Sequence, residues 1–170
     1  MKRIVLLFII LFLVACKKQS KVDVDFISDF KSEELLSDKY LLSSQIEPNI
    51  LTADFNGDGK DDKVTIIQEK ASQKIGLLFQ HSDGSHYIVG AGKVFTDDGW
   101  DDMNWLGVFE IDRNKKQEEF IYSESNESEE LFEIKEIKIP NIGVVIREEE
   151  GSGGLLYFNG KEYQYLHQGD

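Results

Sequence analysis

The 170-residue chain has 19 basic and 32 acidic residues, which gives a formal net charge of −13. A surface this acidic is repelled by phosphate backbones and by anionic lipid head groups, so we expect no nucleic-acid partner, whereas divalent cations and basic ligands fit the charge. The length is that of one ordinary domain with its own core. The single cysteine excludes a disulfide within the chain.

The N-terminus has the features of a secretory signal. Lys2 and Arg3 precede an apolar run over residues 4–14, which is shorter than the roughly 20 residues that a spanning helix needs and is typical of a signal-peptide core. The next residues, Leu13-Val14-Ala15-Cys16, resemble the lipobox of bacterial lipoproteins. This resemblance implies that residues 1–15 are a signal peptide and that Cys16 becomes the lipidated N-terminus.

The same resemblance implies a location in the cell envelope. A lipoprotein cysteine carries two or three palmitate-type acyl chains, and more than one chain is needed for stable membrane anchoring. Lys17 is not the aspartate that retains enterobacterial lipoproteins at the inner membrane, so the resemblance implies the outer membrane. We expect residues 16–25 to be the lipidated cysteine and its polar tether, and residues 26–170 to form a single β-rich domain. Removal of residues 1–15 makes the net charge −15, because Lys2 and Arg3 leave with them.

A helix is predicted near residues 32–43. Ser32 is a suitable N-cap, Glu33 and Glu34 place acids in the first turn, and the apolar residues that follow have near-helical spacing. Pro48 disfavours continuation of this helix beyond Glu47.

The clearest chemical motif is the segment Asp54-Phe55-Asn56-Gly57-Asp58-Gly59-Lys60-Asp61-Asp62. Oxygen-bearing side chains occupy positions 1, 3, 5 and 9 of this segment, and a glycine at position 6 permits a sharp turn. Ca²⁺ binds six to eight oxygens, and one short loop with this spacing supplies many of them. We predict a metal site formed by the side chains of Asp54, Asn56, Asp58 and Asp62 and by the backbone carbonyl of Lys60.

The flanks of this segment distinguish two kinds of calcium loop. An EF-hand requires a glutamate at position 12 and a helix on each side, but position 12 is Thr65 and both flanks are β-branched or apolar runs. The strand-loop-strand pattern resembles the FG-GAP/VCBS-type calcium loops of bacterial surface proteins and integrin propellers. The alternative is a plain acidic hairpin turn, because Asn-Gly and Asp-Gly pairs favour turns without a metal.

The remainder of the chain has the pattern of a β domain. Apolar runs separated by turn residues predict strands at 50–53, 64–67, 74–80, 85–90, 106–111, 131–139, 142–146, 155–158 and 162–167. A phase change of the apolar positions between Ile134 and Ile137 predicts a bulge or bend. We expect a mainly β (α+β) fold, an antiparallel sheet or sandwich with an N-terminal helix and a strand-loop-strand calcium site.

A second acidic segment contains both tryptophans of the chain. Asp97, Asp98, Trp100, Asp101, Asp102 and Trp105 are the candidate ligand-binding residues. Indole rings stack on sugars or cations while carboxylates hydrogen-bond or pair with charge, so these residues could form a pocket. The alternative is that the tryptophans pack inward and the acids form a solvated loop.

Three other features contain residue types that can carry chemistry. His81 and His86 flank a turn and could bind zinc, but no third ligand is near in sequence, and we expect surface residues. The run 123–130 is rich in serine and glutamate and is expected to be a solvated loop. Ser152 lies among glycines, but G-x-S-x-G is not satisfied and no catalytic residue is predicted.

These features together favour an envelope-anchored calcium-binding lipoprotein that acts as a non-enzymatic binding or scaffold module. The lipobox, the single calcium-type loop and the ending 157–170 resemble small uncharacterised lipoproteins of Bacteroidetes-type bacteria. The partner would be an envelope protein or glycan. One alternative is a hydrolase or inhibitor acting on envelope polysaccharide or peptidoglycan through residues 97–105. Another alternative is an accessory subunit of an outer-membrane assembly.

Overall fold

The computed structural model describes residues 38–125 and 128–169, and over these residues the chain is built from eleven β-strands. The strands are β1 Tyr40–Leu42, β2 Ile50–Ala53, β3 Asp62–Glu69, β4 Ile75–Gln80, β5 His86–Gly90, β6 Val108–Asp112, β7 Lys116–Ser125, β8 Ser128–Lys138, β9 Gly143–Arg147, β10 Gly153–Phe158 and β11 Tyr163–Gly169. The predicted signal peptide, Cys16 and the tether lie outside the described residues. Among the residues described, no helix is long and apolar enough to cross a membrane.

All strand pairs are antiparallel. The first sheet has five strands in the order β1-β3-β4-β5, with β2 pairing the same strand β3 as β1 does. The second sheet has the order β11-β10-β9-β6, and β7 and β8 form a separate two-stranded ribbon, the long hairpin. The predicted mainly β, antiparallel class is therefore confirmed.

The two larger sheets share one hydrophobic core. Alternate residues of the first sheet, Val64 and Ile66 on β3 with Leu77 and Phe79 on β4, are fully buried. The second sheet adds residues to the same cluster, namely Phe109, Val144, Ile146 and Leu156. Successive side chains of a strand point to opposite faces, so this alternation selects the residues that each sheet turns toward the other.

The long hairpin packs on the second sheet. Ile139, at the end of β8, joins Leu155 and Leu166 in a smaller cluster. Buried Gln117 on β7 accepts a hydrogen bond from Nε2 of Gln168 on β11, with 2.6 Å between the nitrogen and oxygen. Apolar packing at one end and this amide pair therefore attach the hairpin to the rest of the fold.

The predicted N-terminal helix is not supported. Residues 32–37 lie outside the described part of the chain, and Tyr40–Leu42 form strand β1 rather than the last turn of a helix. Tyr40 is buried whereas Leu41 and Leu42 are about half exposed. Pairing with β3 satisfies the backbone groups of this segment, and such tertiary pairing overrides the weak helical preference of its residues.

The predicted solvated loop at residues 123–130 is also wrong in its described part. Ser123 to Ser125 belong to β7, and Ser128 to Glu130 belong to β8. A two-stranded ribbon can leave both faces in water, as the exposed residues 133–136 do, so acidic residues are compatible with it.

The predicted irregularity in β8 is present, but earlier than expected. Ile121 pairs with Glu133 and Tyr122 pairs with Leu131, which leaves Phe132 as the extra residue. The bulge therefore precedes the phase change at 134–137.

Candidate functional site: an acidic turn and an acidic cleft

The predicted calcium loop connects β2 to β3, so the expected strand-loop-strand arrangement is present. Gly57 and Gly59 have φ angles of +80° and +84°, in the left-handed region that favours glycine. These two conformations turn the chain sharply enough for its backbone amides to point into the turn. The turn's own carboxylates accept hydrogen bonds from those amides.

Asp54 organises the first half of the turn. Its Oδ1 accepts hydrogen bonds from the backbone amides of Gly57 and Asp58 at 2.7 and 3.0 Å, and its Oδ2 accepts one from Gly59 at 2.9 Å. Three N–H groups around one carboxylate form a concave anion-binding arrangement. Asp54 therefore holds the turn in shape.

Asn56 and Asp58 organise the centre of the turn. Asn56 Oδ1 accepts from the amide of Asp58, and Asp58 Oδ1 accepts from the amide of Lys60 at 2.8 Å. The hydroxyl of Ser82 donates to Asp58 Oδ2 at 2.9 Å. The bond from the Lys60 amide, followed by that from Ser82, lowers the pKa of the exposed Asp58 carboxyl below its ordinary 3.8.

Asp62 is the buried member of the set, with 1% of its surface exposed. Its Oδ2 accepts hydrogen bonds from the backbone amides of Phe55 and Asn56, and its Oδ1 accepts one from the amide of Ser82 at 2.9 Å. Ser82 belongs to the turn between β4 and β5. Asp62 thus joins two turns at one end of the first sheet.

The donor set fits a hard cation in its chemistry. Each carboxylate or amide oxygen has two lone pairs. Within the described part of the chain, at least one oxygen in each of Asp54, Asn56, Asp58 and Asp62 accepts a single hydrogen bond. These oxygens would hold the ion together with the Lys60 carbonyl. Within residues 38–125 and 128–169, however, no three His, Cys, Asp or Glu side chains form a group arranged to hold a metal. The acidic-turn interpretation therefore remains open.

The structure places the residues of the second acidic segment, 97–105, in different environments. Asp101 forms an ion pair with Lys74, and Asp102 Oδ1 accepts hydrogen bonds from the amides of Ile75 and Asn104. These two aspartates attach the β5–β6 connection to the start of β4. Their role in the fold is structural.

The tryptophans contact each other. Trp100 and Trp105 are 5.7 Å apart between ring centroids, in an edge-to-face arrangement. Trp105 is partly buried and its Nε1 donates to the carbonyl of Asp102, whereas 46% of Trp100 is exposed. The inward-packing alternative therefore describes Trp105 better than Trp100.

Asp97 and Asp98 lie elsewhere, in the wall of a cleft of about 440 Å³. The same cleft is lined by Glu119 of β7, by Glu162 before β11 and by aromatic residues of β11. Trp100, Asp101, Asp102 and Trp105 do not line it. Of the six candidate residues predicted from the sequence, this cleft includes Asp97 and Asp98.

His81 is not the surface residue that we expected, whereas His86 is exposed. Only 6% of His81 is exposed, and its Nε2 hydrogen-bonds the hydroxyl of Tyr163 at 2.9 Å. Its ring packs edge-to-face on Phe158 with centroids 4.9 Å apart. Its position next to the turn did not determine its burial, because residues from β10 and β11 cover the turn from the other sheet.

Several residues at these sites had no local signal in the sequence. Ser82 is 20 positions from Asp62, and Glu119 and Glu162 are brought beside Asp97 only by the packing of β7 and β11.

Ser152 lies in the turn between β9 and β10, where its carbonyl accepts a hydrogen bond from the amide of Glu148.

Comparison of the chain with protein-family models, curated proteins and solved structures finds no match. The resemblances of Cys16 to a lipobox cysteine and of Asp54–Asp62 to an FG-GAP/VCBS-type loop therefore stay predictions.

Proposed function

We propose that this chain is an envelope lipoprotein, anchored through Cys16 and directed to the outer membrane, whose β domain is a non-enzymatic binding or scaffold module stabilised by one Ca²⁺. The observation that carries the proposal is the turn from Asp54 to Asp62. Four oxygen-bearing side chains of this one short segment accept hydrogen bonds from its backbone amides, and two of them are also connected to the β4–β5 turn through Ser82. The partner would be a protein or glycan of the envelope.

The role of the ion would be structural. Asp54, Asp58 and Asp62 place three formal negative charges within one turn, and a divalent cation would offset their mutual repulsion. A ligand that binds only the folded chain stabilises it by about 2.7 kcal/mol at 100 times its Kd. For a domain of this size that corresponds to roughly 5–10 °C in the midpoint of a thermal melt.

The test is a thermal melt of the full chain in detergent, with excess EDTA and then with millimolar Ca²⁺. We expect Ca²⁺ to raise the midpoint of the wild type but not of Asp58→Ala. The control is Asp61→Ala, which removes the same charge from an exposed side chain of the same turn outside the predicted ligand set, and it should respond as the wild type does. A wild type that is insensitive to Ca²⁺ would establish the acidic-turn interpretation instead.

The anchor is tested separately. Labelled palmitate should be incorporated into the wild type and not into Cys16→Ser, and the variant should move from the membrane fraction to the soluble fraction. Equal labelling of both proteins would exclude Cys16 as the lipidation site.

A further inference from the structure

We infer that the cleft formed by residues 95–98, Glu119, residues 162–165 and His167 binds an organic cation, such as an amine or a guanidinium group. This inference rests on the proposed binding-module function and names the chemical class of its ligand. The cleft combines a ligand-sized cavity, an excess of carboxylates and aromatic walls. Each of these three observations favours the same class of ligand.

The cleft has an excess of carboxylates, and His167 lines it as well. Its carboxylates are Asp97, Asp98, Glu119 and Glu162, and no Lys or Arg is among the described residues that line it. The ion pairs Lys39–Glu69, Lys74–Asp101 and Lys116–Glu136 do not include a cleft carboxylate. Lys135 lies opposite Glu119 in the register of the two strands of the long hairpin, but it does not line the cleft. Like charges in a concave site focus a negative potential that attracts cations.

The aromatic walls select among cations. Phe95 and Tyr165 meet edge-to-face with ring centroids 5.7 Å apart. Tyr163 is held in place by stacking on Phe79, at 3.6 Å between centroids, and by its hydrogen bond to His81. Aromatic faces attract ammonium and guanidinium groups, and the attraction strengthens when the cation is partly desolvated. A small, strongly hydrated metal ion gains little from such walls.

The size of the cleft agrees with an organic ligand. Small-molecule sites commonly have volumes of about 300–1,000 Å³, and this cleft measures about 440 Å³. A second cleft of about 510 Å³ shares Phe95, Glu162 and Tyr163 with it, so a longer ligand would have room to extend. Lys39 and Lys93 line that second cleft, and the cationic end of a ligand is therefore expected on the Asp97 side.

The experiment is an isothermal titration of the full chain in detergent with 1,5-diaminopentane, at constant millimolar Ca²⁺. The comparison ligand is 1,5-pentanediol, which has the same carbon chain without charge. We expect the diamine to bind and the diol not to bind. The double variant Asp97→Asn with Asp98→Asn should weaken diamine binding about fivefold to thirtyfold, since two exposed ion pairs of about 0.5–1 kcal/mol each are lost.

The matched control is Glu110→Gln with Glu118→Gln, which removes two charges from exposed side chains outside the cleft. It should leave the diamine affinity within about twofold of the wild type. Phe95→Leu should weaken the binding of the diamine, because it removes an aromatic ring and keeps an apolar side chain of similar size. Equal weakening by both double variants would mean that only the overall negative charge attracts the diamine, and this would overturn the inference.

Two further outcomes would also overturn it. One is the absence of heat with the diamine, and the other is displacement of the diamine by stoichiometric Mg²⁺, which would indicate a metal site. Failure here is distinguishable from failure of the proposed function. The calcium-dependent melt of Asp58→Ala and the palmitate labelling of Cys16→Ser do not depend on the cleft.

Discussion

Asp62 accepts hydrogen bonds from the backbone amides of Phe55, Asn56 and Ser82. Because hydrogen bonds to a charged acceptor contribute about 1.5–3 kcal/mol each and their loss leaves buried donors unsatisfied, Asp62→Ala should lower the free energy of unfolding by about 2–4 kcal/mol. Urea denaturation in EDTA measures this without any contribution from a metal. The neighbour Asp61 is exposed, and Asp61→Ala should stay within about 0.5 kcal/mol of the wild type. A similar loss in both variants would contradict the role given to the buried carboxylate.

Tyr165 provides a pH test at the cleft. Burial, and then the negative charge of Asp98, raise the pKa of its hydroxyl from the ordinary 10.0 to about 12. The folded chain therefore holds this proton more tightly than the unfolded chain does. The stability that this raised pKa of Tyr165 contributes is fully present below about pH 10 and is lost as the pH rises toward 12.

The measurement is a titration of tyrosinate absorbance, with Tyr165→Phe used to isolate the signal. Asp98→Asn should lower the pKa of Tyr165, because it removes the nearby negative charge. An unchanged pKa in that variant would place Asp98 too far from the ring to share a ligand with it.

At Gly76 of β4, the backbone of β5 lies too close to leave room for a side chain. Gly76 pairs with Gly90 across β4 and β5, and a Cβ at this position would overlap the backbone nitrogen of Ala91 and the carbonyl oxygen of Val89. Backbone atoms of a paired strand cannot move aside cheaply, so Gly76→Ala should destabilise the fold by about 2–3 kcal/mol.

Gly143→Ala is the matched comparison in the second sheet. Its Cβ would lie 2.7 Å from side-chain atoms of Leu155, and a leucine side chain can rotate to another rotamer. In urea denaturation, Gly143→Ala should therefore lower the free energy of unfolding by less than Gly76→Ala does. The reverse order would mean that the core around Leu155 is less able to adjust than the backbone pairing of β4 and β5.

The elements that could be predicted from the sequence share one property. β2 to β6 and β9 to β11 contain apolar runs near turn residues, and the apolar residues of these runs are buried or half-buried in the structure. The ends of β7 and β8 carry little local apolar signal, and the apolar residues of β1 have the spacing of a helix. The strand conformation of these segments depends on a partner strand. A hydrophobic pattern in the sequence indicates which residues are buried, whereas these strands are defined mainly by backbone pairing.

The candidate sites divide in the same way. The turn at Asp54–Asp62 is encoded by local spacing and by the glycines at 57 and 59, so its shape follows from the sequence. Ser82 and the wall of the cleft come from distant strands, so they depend on how the two sheets pack.

Across the whole molecule, the net charge of −13 opposes compaction. Raising NaCl from low concentration should raise the melting midpoint, because screening shortens the range of repulsion from about 10 Å at 0.1 M to about 3 Å at 1 M. Ca²⁺ and Mg²⁺ must therefore be compared at equal ionic strength. A site selective for Ca²⁺ should raise the midpoint beyond the NaCl effect, while equal effects of both ions would indicate screening alone.

The shared edge of β3 has a mechanical consequence. β1 and β2 lie on the same side of β3, one after the other, and β1 is held by the pairs from Tyr40–Glu69 to Leu42–Ile67. In a chain held at Cys16, a pulling force would reach this short ladder before it reached β2. The released residues 40–49 would span up to roughly 35 Å at about 3.5 Å per residue. β2 would stay paired with β3, so the protein would lengthen under load before β2 detached, and the buried Tyr40 would become exposed.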